Sequence, residues 1–173
     1  MAIEELQKPL GEWCKHCGTK KSCDIYSNRP AECATFYCGY LTLPNLDEAW
    51  KPNKSKLILV SELEGGRIGV HVDSSRPLAW KDEPFYSTLK SWAAAAVPHH
   101  GQVVVQVNYN VWVILPDKDV YLGFVDQDQR IITTETKTPF GIELDAVLLH
   151  KDDPRMNSLV KASWNLGGKP EAE

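Results

Sequence analysis

Cysteine is confined to one short part of this chain. The five cysteines have the spacing C-x2-C-x5-C-x9-C-x4-C within residues 13–41, and the rest of the 173-residue chain has none. They are Cys14, Cys17, Cys23, Cys33 and Cys38. Cysteine that serves only as a small buried residue would be scattered along the sequence. The crowding therefore predicts a chemical role, which is a disulfide framework, a metal site or a redox pair.

A disulfide framework fits this sequence poorly. The chain opens MAIEELQKPL, which has no basic segment followed by an apolar stretch, and the number of cysteines is odd. Secreted disulfide scaffolds carry an export signal and pair their cysteines. We therefore expect a cytoplasmic protein whose thiols are reduced.

A metal site explains the thiol density better. Thiolates packed together repel one another, and Zn²⁺ or an iron-sulfur cluster neutralises them with four ligands. The C-x2-C pair lets Cys14 and Cys17 reach one ion from a tight turn, and Gly18 supplies backbone freedom there. All five cysteines are candidate metal ligands. The spacing matches neither the usual zinc ribbon nor the ferredoxin pattern, so the metal stays open, as do a redox dithiol and unligated thiols.

The neighbours of the cysteines extend this motif to WCxHC, a cysteine before IY, and RPxxCxxFxCxYL. The motif resembles the bacterial cysteine-cluster family of zinc- or iron-chelating CxxCxxCC domains. The matching positions are Trp13, Cys14, His16, Cys17, Cys23, Ile25, Tyr26, Arg29, Pro30, Cys33, Phe36, Cys38, Tyr40 and Leu41. The downstream stretch IGVHVD…RPLAW…EPFYSTLKSWA is also similar to that family. The resemblance implies metal chelation by the cysteines, and one relative, the flagellin lysine N-methylase, is associated with an iron-sulfur cluster.

The sequence departs from the family pattern at its beginning. Family members carry a further C-x2-C-C group shortly before the KPxGxWC segment, which here reads KPLGEWC at residues 8–14. In this sequence Met1 lies after the position at which that group is expected. We expect either that translation starts farther upstream or that part of the ligand set has been lost; one four-cysteine site is still possible.

Two features of the cysteine segment bear on the site. A helix predicted from Pro30 onward, with Asn28 or Ser27 as its cap, would place Cys33 and Cys38 about 140° apart around the axis. Both can reach one ion only if the helix ends or loosens at Cys38, which Gly39 permits. Otherwise Cys33 is a ligand and Cys38 packs or serves another site. Lys15, Lys20, Lys21 and Arg29 make the segment basic, and we expect them to lower the pKa of the thiols; contact with an anion or phosphate is the alternative.

The rest of the chain predicts a sheet with one main helix. Residues 57–63 predict a strand, residues 67–73 alternate between apolar and polar, and the turn with two glycines between them predicts a hairpin. Residues 84–96 place Phe85, Leu89 and Ala93 on one face, which predicts an amphipathic helix. Strands are predicted at residues 103–107, 111–115, 120–125, 130–135 and 140–149, and the short turns between them favour antiparallel pairing.

The fold class predicted from these elements is α+β, with a Cys-rich metal-binding module before a mostly antiparallel sheet. We assign residues 1–41 to the module, 57–150 to the sheet domain and 151–173 to a loosely ordered tail. The net charge of −4 disfavours general nucleic-acid binding, and no apolar stretch is long enough to span a membrane.

Catalytic motifs are weak. His99 and His100 before Gly101 are typical of a solvated turn, and His71 with Asp73 is typical of an exposed polar strand face. We therefore expect a non-catalytic protein with a structural zinc site. The alternative is an iron-sulfur protein of oxidoreductase or protein-modifying, methylase-like type. A sheet that binds a partner protein is compatible with either.

Overall fold

The predicted strands form two sheets. The computed structural model describes residues 3–9, 11–18, 22–62, 66–156 and 163–164. The first sheet has the order β1-β2-β3-β4-β5, with β1 Leu57–Glu62, β2 Arg67–Val72, β3 Gln102–Val107, β4 Asn110–Ile114 and β5 Asp119–Phe124. The second has the order β7-β6-β8, with β6 Gln129–Thr138, β7 Gly141–His150 and β8 Ser163–Trp164. The class is α+β, and the pairing is mostly antiparallel.

The predicted hairpin and the predicted main helix are both confirmed. Strands β1 and β2 pair antiparallel, with Leu57 opposite Val72. The helix α4 spans Phe85–Ala96 and buries Phe85, Leu89 and Ala93. It carries the chain from β2 to β3, and these two strands pair in parallel, with Val70 opposite Val105. A helix between parallel strands is the usual crossover connection.

Strand β3 lies between two hydrophobic cores because both of its faces are apolar. Val103, Val105 and Val107 belong to the core under α4, together with Trp50, Leu59 and Trp80. Val104 points into a second core that contains Val113, Ile131 and Ala146 and joins the two sheets. A strand covered on both sides is typically a continuous apolar run, as here.

The strands predicted at residues 120–125 and 130–135 follow each other in sequence but do not pair. Strand β5 pairs with β4, whereas β6 pairs with β7 and with β8 through Ile131 opposite Trp164. Of the tail predicted at residues 151–173, the described part comprises the turns of residues 151–156 and strand β8. Residues 157–162 and 165–173 lie outside the described residues.

The remaining helices are short, and the first two of them lie in the segment that carries the cysteines. Helix α1 spans Ala31–Thr35, α2 spans Gly39–Thr42, and α3 spans Pro52–Ser55. Single turns of 3-10 helix lie at Tyr26–Asn28, Glu48–Trp50, Ala79–Lys81 and Val97–His99. The N-cap residue of α1 is Pro30, and no side chain caps the helix by a hydrogen bond. The prediction that Ser27 or Asn28 is the cap is therefore wrong. No helix among the described residues is long and apolar enough to cross a bilayer.

Candidate metal site and adjoining cavity

The first three cysteines lie on a small hairpin. The amide of Cys17 donates to the carbonyl of Cys14 at 3.0 Å, which closes the tight turn predicted for the C-x2-C pair. Cys17 and Cys23 are then partners in an isolated antiparallel bridge. Two backbone hydrogen bonds flank this bridge. The amide of Gly18 donates to the Ser22 carbonyl at 2.8 Å, and the amide of Asp24 donates to the His16 carbonyl at 2.9 Å. Three thiols are therefore placed on two short stretches of paired backbone, of which residues 14–18 and 22–24 are described.

The fourth cysteine comes from α1. The amide of Cys33 donates to the Pro30 carbonyl at 3.0 Å, so the proline fixes the first turn of the helix. The helix ends at Thr35, and Phe36 is already extended. The chain thus leaves the helix before Cys38, which lies directly before α2. The helix predicted to end or loosen at Cys38 therefore ends three residues earlier, at Thr35.

The thiol of Cys33 lies within electrostatic range of two other thiols. Partial burial raises the pKa of Cys33, and Cys14 and Cys23 raise it further because a second thiolate nearby is unfavourable. The guanidinium of Arg29 acts in the opposite direction. We expected the basic residues to lower the pKa, and for Cys33 the net direction is the reverse. Arg29 is also engaged with Tyr26, because it donates to its carbonyl at 2.9 Å and lies 4.1 Å from its ring centroid.

A cavity of about 440 Å³ separates the cysteines from the first sheet. Its wall on one side includes the thiol-bearing residues Cys14, Cys17 and Cys33. The floor includes His71 and its cross-strand neighbours Ile58 in β1 and Gln106 in β3. This row lies on the sheet face opposite Val70 and Val72, which belong to the core under α4. The volume is in the range of small-molecule sites in proteins.

The N-terminal segment is tied to the sheet around this cavity. The hydroxyl of Ser74 donates to the Gly11 carbonyl at 3.0 Å. Gly11 has a φ of 82° and lies so near Asn108 that a Cβ atom there would meet the Asn108 side-chain oxygen at 2.5 Å. The Lys56 ammonium lies 5.9 Å from the Trp13 ring centroid. The lid of the cavity and its floor therefore belong to segments far apart in sequence.

His71 is the most unusual polar residue of the cavity. Its Nδ1 atom is buried and makes no hydrogen bond within the described part of the chain. Burial lowers the pKa of His71 to about 4, so the imidazole is neutral at physiological pH. The carboxylate of the nearby Asp73 lies 4.0 Å from the Lys56 ammonium, and both of these side chains are largely buried. The interpretation of His71 and Asp73 as an exposed polar face is therefore wrong, because the N-terminal segment covers them.

The cysteines do not all line this cavity. Cys23 is exposed and Cys38 is half-buried, and neither belongs to the cavity wall. In residues 3–9, 11–18, 22–62, 66–156 and 163–164, no three Cys, His, Asp or Glu side chains are arranged as a metal-binding group. No pair of these five cysteines forms a disulfide. His99 and His100 are exposed at the end of α4 and lie outside the cavity.

Sequence reasoning missed Ile58, Gln106 and Asn108 as parts of this cavity. One signal was present, because Gln106 and His71 are polar positions inside valine-rich strands. Such positions are commonly assigned to solvent.

No family model matches the chain, and neither a curated protein nor a solved structure matches it at a significant level.

Proposed function

We propose that the chain binds one zinc ion through Cys14, Cys17, Cys23 and Cys33, and that this ion staples the N-terminal hairpin to α1. The observation that carries the proposal is that Cys33 of α1 lines the same cavity as Cys14 and Cys17 of the hairpin, and the thiols of Cys14 and Cys23 also raise the pKa of Cys33. Four thiolates are a donor set that zinc prefers, in a tetrahedral arrangement. The four side chains must converge on one ion for ligation, and we expect this convergence to accompany metal binding.

Cys38 is the cysteine left out of this set. It is half-buried directly before α2 and outside the wall that Cys14, Cys17 and Cys33 share, and, unlike Cys23, it is not among the groups that shift the pKa of Cys33. Four ligands complete a structural zinc site, so a fifth thiol is not needed. Cys38 therefore provides a matched control within the same segment.

The test is the metal content of the full chain after anaerobic purification from cells supplied with zinc and iron. We expect a colourless protein with about one zinc per chain. Cys14→Ser, Cys17→Ser, Cys23→Ser and Cys33→Ser should each lower zinc affinity by at least about tenfold, and Cys38→Ser should not. Zinc content that is equal in all five variants would refute the assignment.

An iron-sulfur protein of oxidoreductase or methylase-like type is the second candidate. The cavity beside the thiols favours it, because a purely structural ion has no need of a small-molecule site next to it. Brown protein with absorbance at about 400 nm, together with iron and sulfide, would establish an iron-sulfur cluster in place of zinc. We place either protein in the cytoplasm, where thiols remain reduced, and a partner protein on the sheet is compatible with both.

A further inference from the structure

Cys17 and Cys23 face each other across the hairpin in a particular way. The two hydrogen bonds around their bridge join Gly18 to Ser22 and Asp24 to His16, so the cysteines themselves exchange none. This pattern makes Cys17 and Cys23 a non-hydrogen-bonded antiparallel pair. Such pairs are the closer of the two kinds, with Cα atoms about 4.5 Å apart and neighbouring side chains on the same face.

This spacing falls within the range of a disulfide, for which Cα atoms are roughly 4.4–6.8 Å apart. The pairing of Cys17 with Cys23 is therefore compatible with a disulfide between them. We propose that Cys17 and Cys23 form a reversible disulfide, and that this disulfide controls metal binding at the cysteine site. The control of metal binding rests on the proposed function, in which both thiolates are ligands.

Exposure favours Cys23 as the sulfur that reacts first. Cys23 is exposed, whereas Cys17 is half-buried beside the cavity.

The oxidant in this reaction is a peroxide. The Cys23 thiolate attacks the O–O bond, which breaks; an S–O bond forms and hydroxide leaves. The Cys17 thiolate then attacks the Cys23 sulfur, so the S–S bond forms and the S–O bond breaks. Two thiols lose two electrons and two protons, and one hydrogen peroxide becomes two waters.

Metal release follows from this chemistry. Zinc is bound by thiolates, and the sulfurs of a disulfide carry no negative charge. Oxidation therefore removes two of the four ligands at once, and we expect one zinc to leave for each disulfide formed. A dithiol reductant restores both ligands and permits zinc to bind again.

The experiment uses the full chain, with its metal and after treatment with a chelator, exposed to hydrogen peroxide. Trypsin cleaves after Lys15 and Lys20, so Cys17 is the only cysteine in the peptide of residues 16–20. A second protease, which cleaves before aspartate, cuts between Cys23 and Asp24 and so separates Cys23 from Cys33 and Cys38. Mass spectrometry then identifies the partner of Cys17. Cys14→Ser should keep the crosslink, and Cys23→Ser should lose it.

The outcomes distinguish this inference from the proposed function. A Cys17–Cys23 crosslink with release of about one zinc per chain, followed with a chromogenic chelator, supports both. A crosslink from Cys17 to Cys14, or free thiols at Cys17 and Cys23 after oxidation, overturns the disulfide even if zinc is bound. A Cys17–Cys23 crosslink in protein that never held metal refutes the proposed function and the control of metal binding, and leaves the disulfide established.

Discussion

The ammonium group of Lys90 lies 2.8 Å from the Oδ1 atom of Asp119, which joins α4 to the first residue of β5. Both side chains are mostly buried, at 18% and 13% exposed. The same ammonium donates to the Leu115 carbonyl at 2.7 Å, and the Tyr86 hydroxyl donates to Asp119 Oδ2 at 3.1 Å. The helix is therefore fixed on the sheet by a polar network as well as by its apolar face.

Removing one member of this network should destabilise the protein. Lys90→Met leaves the Asp119 carboxylate without this ion-pair partner and the Leu115 carbonyl without its donor in a shielded place, which costs about 1–3 kcal/mol. Urea unfolding of the two proteins measures the difference. The matched control is Lys51→Met, because Lys51 pairs with Glu48 on the exposed surface and such pairs contribute little. Equal unfolding midpoints for Lys90→Met and the unmodified chain would contradict the prediction.

Gly39 should not tolerate a side chain. A Cβ atom at this position would lie 2.8 Å from Leu59 Cβ and 3.2 Å from the Leu59 carbonyl oxygen, where α2 packs on β1. Gly39→Ala should therefore cost about 1–3 kcal/mol through overpacking. Gly69→Ala is the control, because its Cβ would meet its nearest neighbour at 3.7 Å, an ordinary contact. The midpoints of thermal unfolding of the two variants are compared, and we expect the lower midpoint for Gly39→Ala. Similar midpoints would contradict the prediction and show that α2 can shift away from β1.

The stability of the protein should decrease in weak acid because of His71. The folded protein keeps this imidazole neutral down to a pKa of about 4, whereas the unfolded chain binds the proton below about 6.5. The free energy of unfolding therefore falls as the pH is lowered from about 6.5 to 4, by up to about 1.4 kcal/mol per pH unit. Chelator-treated protein is used, so that metal ligands do not contribute to the proton balance.

The variant His71→Gln should flatten this pH dependence, because the amide side chain does not titrate. His99→Gln, which replaces an exposed histidine outside the cavity, should retain the slope. Urea unfolding at several pH values between 4 and 7 provides the comparison. A slope that is the same in His71→Gln as in the unmodified chain would assign the effect to other groups.

Metal removal should destabilise the N-terminal segment more than the sheets. If zinc joins the hairpin to α1, its binding energy is folding energy, and chelation or Cys14→Ser should cost several kcal/mol. Hydrogen exchange should then increase at the amides of Cys17 and Cys33, while those of β3 stay protected. Unchanged exchange at Cys17 and Cys33 after chelation would contradict the prediction.

Much of the fold could be predicted because the patterns are local. The alternation of Ile68, Val70 and Val72 predicts β2, and the spacing of Phe85, Leu89 and Ala93 predicts the buried face of α4. The parallel pairing of β2 with β3 was not predicted, because it depends on where the crossover helix packs. The signal for it is the unbroken Val103–Val104–Val105 run, which is apolar on both faces.

The site was only partly predictable. The cysteines stand out by their spacing, and the tight turn between Cys14 and Cys17 follows from it. The burial of His71 does not, because it depends on contacts such as that of Ser74 with Gly11, which are 63 positions apart. Pattern reasoning treats each strand face by itself and does not include a lid contributed by another part of the chain.

The parallel pairing of β2 with β3 has a consequence for the rate of folding. The pairs β1–β2, β3–β4 and β4–β5 each close a short loop, whereas joining β2 to β3 closes the loop of residues 73–101. The entropic cost of that closure must be met before Val70 and Val105 can stabilise each other. Refolding should therefore be limited by the docking of two preformed hairpin units, and prior formation of α4, which shortens the connecting loop, should accelerate it.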